Sequence, residues 1–96
     1  MVPCAPTECS ATLEIVNRLG LHARAAALLV QTASRFDAEI AIAKDGQTVN
    51  GRSIMGVMML AAEQGSQIHV TATGRQAREA LDAIRALVAA RFQESE

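Results

Sequence analysis

The sequence has no tryptophan or tyrosine, only two phenylalanines among 96 residues, and almost no net charge. A core with so few rings has to be built from small aliphatic side chains, which requires close packing. The formal net charge of −1 offers no attraction to nucleic acid or to an anionic membrane. No apolar run approaches the roughly 18 residues needed to span a bilayer, and no signal peptide is recognisable. We therefore expect one small cytoplasmic domain, without membrane insertion, whose partners are proteins or small molecules.

Cysteine is also scarce, because Cys4 and Cys9 are the only two and both lie near the N-terminus. The two prolines of the same segment disfavour regular structure. No further cysteine or nearby histidine completes four metal ligands, and two cysteines make a poor disulfide framework. We expect free thiols on a flexible extension, residues 1–10, ahead of one domain, residues 11–96.

Apolar periodicity predicts alternating strands and helices. Side chains alternate with the period of a strand in residues 11–16, 38–43 and 67–73, and the Asp-Gly turn at residues 45–46 predicts a hairpin with a further strand over 48–50. Apolar side chains recur at helical spacing in three others: residues 23–34, 54 up to Gly65, and 76–92. The order βαββαβα predicts an α+β domain in which three helices cover one face of a four-stranded antiparallel sheet.

His22 is the strongest candidate for chemistry, because it stands where the connector 17–22 meets the first predicted helix. A helix N-terminus presents N–H groups to an anion, and the Arg24 guanidinium suits phosphate oxygens. Gly20 gives the connector the freedom to hold the imidazole outside the core. A neutral imidazole nitrogen is nucleophilic near neutral pH, so this pattern favours a phosphoryl carrier.

The simpler alternative is that His22 only caps the helix while Arg24 is solvated. No catalytic triad spacing, His-Glu-x-x-His motif or phosphate loop competes with the carrier interpretation. The other histidine, His69, alternates with Ile68 and Val70, which predicts a place on the solvent face of a strand.

Ser53 precedes the short second helix and is expected to cap it. The apolar residues that follow wrap around the helix, so some of them should be exposed. Ile54, Met55 and Met58 then form an adaptable docking surface for partners, unless neighbouring loops bury them. Phosphorylation of Ser53 would add negative charge beside this surface, which suggests an inhibitory switch.

Two stretches resemble a known family: residues 17–24, Asn-Arg-Leu-Gly-Leu-His-Ala-Arg, and residues 50–58, Asn-Gly-Arg-Ser-Ile-Met-Gly-Val-Met. They are similar to the phosphohistidine signature and the regulatory serine segment of the HPr phosphocarriers of the bacterial phosphotransferase system. The resemblance extends over residues 11–92 and implies the family's open-faced β-sandwich.

The resemblance also implies roles and partners. His22 would accept a phosphoryl group from enzyme I, Arg24 would steady it, and enzyme IIA proteins would receive it. Ser53 would be the target of an HPr kinase/phosphorylase. The chain would be a carrier and not an enzyme, with no cofactor and no metal. Ala25 departs from the family pattern, which usually has a proline there to preset the first helical turn.

Two other functions compete with the carrier. A hydrolase of the acylphosphatase type would use Arg24 and Asn50, but the family's phosphate-binding loop is absent and His22 would have no role. A purely regulatory binding module would depend on Ser53 and leave His22 idle.

Overall fold

The computed structural model describes residues 4–5 and 7–93. In this part of the chain, five antiparallel strands form one sheet in the order β1-β2-β5-β3-β4. The strands are β1 (Cys4–Ala5), β2 (Glu8–Glu14), β3 (Glu39–Lys44), β4 (Gln47–Asn50) and β5 (Gln67–Thr73). The helices are α1 (Ala23–Ser34), α2 (Ile54–Met59) and α3 (Ala77–Ala89). The four longer strands and the three helices confirm the predicted α+β fold.

The core lies between the sheet and the helices. Along β5, Ile68, Val70 and Ala72 are buried while Gln67 and Thr73 are exposed, as an alternating strand with one covered face requires. The stripe predicted on α3 is buried as well: Ala77, Leu81, Ile84 and Val88. The opposite face of the sheet, which carries Gln67 and His69, is exposed to solvent.

The N-terminal segment differs from the prediction. β2 begins at Glu8 and not at Ala11, and β1 pairs with it so that Cys4 lies opposite Cys9. Cys9 is buried and disulfide-bonded, so the prediction of a free thiol is wrong at this residue. The prolines flank β1 and lie outside β2, which is why they did not prevent the strand. The predicted flexible extension covered residues 1–10, of which 4–5 and 8–10 lie in strands. Residues 1–3 and 6 lie outside the described residues, and there the flexibility stays a prediction.

Two helices end earlier than predicted, and each end is followed by left-handed backbone. α2 ends at Met59 and does not continue toward Gly65 as predicted. Ala61, shortly after this end, has φ +50°. α3 ends at Ala89, after which three consecutive residues have positive φ: Arg91, Phe92 and Gln93. This turn folds Phe92 back onto the core, where the ring is only 1% exposed. Burial of the ring stabilises a conformation that L-residues otherwise disfavour.

Candidate functional site

His22 is the N-cap of α1. Its backbone is extended, with φ −73° and ψ 179°, and its carbonyl accepts the first helical hydrogen bond, from Ala26 N at 2.8 Å. The backbone N–H of Arg24 donates to His22 Nδ1 at 3.3 Å. The imidazole is half-buried. Nδ1 therefore directs its lone pair at the Arg24 amide in the first turn of α1.

The connector that carries His22 is fixed by close contacts with the segment after α2. Gly20 has φ +67°, and a Cβ atom at this position would lie 2.4 Å from the carbonyl oxygen of Ala62. The next residue, Leu21, is buried and donates its N–H to the same oxygen at 2.9 Å. Gly20 is therefore required for this close approach, and the resulting contact holds the residue just before the imidazole.

Asn17 closes the other end of the connector and was not identified from the sequence. Its side chain is completely buried, and Nδ2 donates to the carbonyl oxygen of Gly20 at 2.8 Å. The Gly20 N–H donates to the Asn17 carbonyl at 3.3 Å, so the two residues form a turn. An asparagine three residues before a glycine is the sequence signal that could have indicated it.

Arg24 lies in the first turn of α1 with an exposed side chain. The first turn is fully described and contains no acidic side chain. The positive end of the helix dipole, the amides and the guanidinium therefore favour an anion together. Ala25, where proline was expected, is completely buried under this turn, so a small helix-forming side chain fits there.

Ser53 caps α2 as predicted. Its Oγ accepts a hydrogen bond from the Gly56 N–H at 3.0 Å, and its carbonyl accepts one from Val57 N at 3.0 Å. Arg52, next to it, donates to two carbonyl oxygens of the loop before β3, those of Phe36 at 2.9 Å and Ala38 at 2.8 Å. The start of α2 is therefore tied firmly to the rest of the domain.

The surface of α2 is apolar and exposed. Val57 is the one buried residue of this fully described helix. Exposed fractions are 42% for Ile54, 73% for Met55, 42% for Met58 and 64% for Met59, so the alternative in which loops bury them is wrong. Leu19 of the connector is 65% exposed and was missed, because its neighbours in sequence give no periodic pattern. We call these five residues the α2 surface.

The remaining candidates lie elsewhere or have structural roles. His69 is exposed on the open face of the sheet, opposite Thr12, whose Oγ1 lies 3.1 Å from its Nδ1. This confirms its predicted position. Asn50 Oδ1 accepts from Arg52 N at 2.8 Å and so stabilises the turn before α2. That role argues against a hydrolase in which Asn50 acts together with Arg24.

Over residues 4–5 and 7–93, no three histidine, cysteine, aspartate or glutamate side chains are grouped so as to hold a metal ion. None of the helices in the same residues has the length and apolar character needed to cross a membrane.

Comparison with known proteins gives consistent matches. The family model for the PTS HPr component phosphorylation site matches residues 9–90. The phosphocarrier protein HPr of Cupriavidus necator is 49% identical over 82 residues, covering 85% of this chain and 92% of that protein. The crystal structure of HPr-C-His from Thermoanaerobacter tengcongensis has a TM-score of 0.87 at 45% identity, covering 91% of this chain and 98% of that one.

A regulatory relative also matches. The solution structure of Crh, the Bacillus subtilis catabolite repression HPr, has a TM-score of 0.62 at 42% identity and covers 82% of this chain and 94% of its own. The match to the family model spans nearly the whole described domain and includes the connector with His22. Membership implies enzyme I and enzyme IIA proteins as partners. The chain therefore belongs to the HPr family of the phosphotransferase system, whose members are phosphoryl carriers and not catalysts.

Proposed function

We propose that the phosphoryl group of this carrier is held on Nδ1 of His22. The observation that supports this assignment most directly is the hydrogen bond from Arg24 N to Nδ1 at 3.3 Å. An accepting nitrogen carries a lone pair and no proton, so Nδ1 is the nucleophile and Nε2 holds the ring proton. Once phosphorus is bonded to Nδ1, the phosphoryl oxygens lie beside the same amides that Nδ1 faced before.

Arg24 and α1 stabilise the anion that results. The helix has 12 residues, and its dipole adds partial positive charge at the N-terminus. The Arg24 side chain is exposed, so it can approach the phosphoryl oxygens without leaving a buried position. Since this support comes from backbone groups already in place, the phosphoryl group is accepted and donated with little rearrangement.

We further propose that the α2 surface is where enzyme I and enzyme IIA proteins dock. Its apolar residues lie beside the connector, because Leu21 and Gly20 contact Ala62 just after α2. Methionine side chains adapt to different partner surfaces, which suits a carrier that has to meet a donor and several acceptors. Exchange with these proteins places the carrier in their compartment, the cytoplasm.

The first experiment is incubation with enzyme I and phosphoenolpyruvate, followed by intact-mass analysis before and after mild acid. We expect one added phosphate that acid removes, as for a phosphoramidate. The His22→Ala variant should accept none, whereas His69→Ala, the matched control at the other histidine, should be labelled like the unmodified protein. Labelling of His22→Ala, or its loss in His69→Ala, would overturn the assignment.

Ser53 is proposed as a regulatory phosphorylation site for a kinase of the HPr kinase/phosphorylase type. Its Oγ already accepts an amide of α2, so phosphate oxygens have a donor available and the fold tolerates them. The added charge lies next to Ile54 and Met55, where it would oppose apolar docking. Ser53→Asp should therefore slow transfer from enzyme I, while Ser53→Asn, an uncharged side chain that also caps helices, should not.

A purely regulatory module is the second candidate, and similarity to Crh is the observation that favours it. The mass experiment separates the two functions. If enzyme I labels a control carrier but not this chain, Ser53 and the α2 surface become the functional parts of the molecule.

A further inference from the structure

The α2 surface contains an unusual concentration of oxidisable sulfur. The chain has four methionines, and three of them, Met55, Met58 and Met59, lie on this one six-residue helix. Their exposed fractions are 73%, 42% and 64%, so all three residues are exposed to solvent and to small solutes. Residues three and four apart on a helix are neighbours, which places Met58 and Met59 next to Met55.

We propose that these methionines are a reversible oxidation site through which peroxide controls partner docking. In the forward step the thioether sulfur forms a bond to one peroxide oxygen, the O–O bond breaks, and methionine sulfoxide and water are the products. Sulfur is oxidised by two electrons and the peroxide is reduced. In the reverse step a dithiol reductant, acting through a methionine sulfoxide reductase, restores the thioether and is itself oxidised to a disulfide, with release of water.

The positions of these methionines indicate that their oxidation would change the α2 surface without unfolding the domain. α2 is anchored by Val57 and Leu60, both buried, and by the Ser53 cap, none of which contains an oxidisable thioether. The methionine side chains project from the domain, so sulfoxides there do not disrupt the core. A sulfoxide is polar and accepts hydrogen bonds, so oxidation replaces an apolar docking surface by one that must be desolvated on binding.

The nucleophile is not affected in the same way. His22 is held by α1 and by the contact of its connector with Ala62, neither of which involves a methionine. Oxidation should therefore separate two properties of the carrier: the ability of His22 to react, and the ability of the protein to be recognised. The inference rests on the proposed docking role of the α2 surface.

The test compares two phosphoryl donors on protein treated with dilute hydrogen peroxide, with the oxygens counted by mass and located by peptide mapping. Phosphoramidate is a small donor that needs no docking, whereas enzyme I needs it. We expect the fully oxidised protein to be labelled by phosphoramidate at its original rate and by enzyme I roughly tenfold more slowly or worse, since a single interface side chain can carry that much binding energy. A methionine sulfoxide reductase should restore the rate.

The matched control is the triple variant Met55→Leu, Met58→Leu, Met59→Leu, which keeps apolar side chains of similar volume and both cysteines. Each protein is compared with its own untreated sample, and the variant should show no change with peroxide. If peroxide slows labelling of the variant by enzyme I as much as it slows labelling of the unmodified protein, the inference is wrong. It is also wrong if enzyme I labels the oxidised protein at the original rate. Neither result would affect the proposed function. If enzyme I fails to label the untreated protein, the proposed function itself is wrong.

Discussion

Replacement of Gly20 by alanine should both destabilise the domain and slow its phosphorylation. At φ +67° an L-residue costs about 1 kcal/mol more than glycine. The new Cβ would also lie 2.4 Å from the Ala62 carbonyl oxygen, so the connector or the segment after α2 has to move. That movement weakens the hydrogen bond from Leu21 N to Ala62 O, worth about 1 kcal/mol, and adds packing strain of about 1 kcal/mol. The total loss in free energy of unfolding is roughly 3 kcal/mol.

The chain provides a matched control in Gly46. This glycine also has positive φ, +84°, but a Cβ there would meet nothing within 4 Å. Gly46→Ala should therefore lower the free energy of unfolding by about 1 kcal/mol, which is the cost of placing an L-residue at positive φ without any steric contact. The difference between the two variants, roughly 2 kcal/mol, isolates the close contact of the connector and corresponds to a change of about thirtyfold in the unfolding equilibrium constant.

Urea denaturation of the two variants measures the difference, and transfer from enzyme I measures its consequence. Because His22 lies two residues after Gly20, displacement of the connector should slow phosphorylation by tenfold or more, as small misplacements of reacting groups commonly do (about 10²-fold per ångström). Gly46 lies in the turn between β3 and β4, so its variant should be labelled normally. If the free energies of unfolding of Gly20→Ala and Gly46→Ala differ by less than about 0.5 kcal/mol, the reasoning is refuted, because the contact with Ala62 would then place no constraint on the residue at position 20.

Other residues give further tests. Asn17→Ala removes the bond to the Gly20 carbonyl, so it should cost about 2 kcal/mol in urea denaturation and slow transfer; an unchanged midpoint would contradict this role. Phe92→Ala should cost about 3–5 kcal/mol by thermal or urea unfolding, while Phe92→Leu should cost clearly less; equal small losses would mean that the ring is not buried. Ala61→Gly should raise stability by about 0.5 kcal/mol, because relief of φ +50° exceeds the entropy cost of glycine, and a loss would contradict the left-handed backbone.

The sequence predicted the fold where local signals agree with the tertiary structure. The bounds of β5 and α1 match the predicted ranges, 67–73 and 23–34. Both segments have a clear apolar period and a clear boundary: Gly74 ends β5, and the connector with His22 precedes α1. The position of His22 at a helix N-terminus was predictable for the same reason.

The other features depend on contacts between distant parts of the chain. The left-handed turn at Phe92 is unfavourable locally and forms because it buries the ring, which no pattern along the helix reveals. The early end of α2 likewise places Leu60 and Ala62 in the core on either side of Ala61. The pairing of β1 with β2 was not predicted, because the two prolines of this segment argued against regular structure, and the disulfide at Cys9 was missed with it.

The positions of Ala62 and Ser53 explain how the carrier could be regulated without losing its chemistry. Ala62 supports the connector that carries His22 and lies shortly after the end of α2, so the proposed nucleophile and the proposed docking surface share one support. A partner that docks on α2 therefore meets a histidine already in place. Ser53 caps α2 and the methionines are exposed on it, so we expect a modification there to change what the partner contacts. The hydrogen bond between Arg24 and His22 does not involve these residues, so we expect control of docking and retention of the phosphoryl group to vary separately.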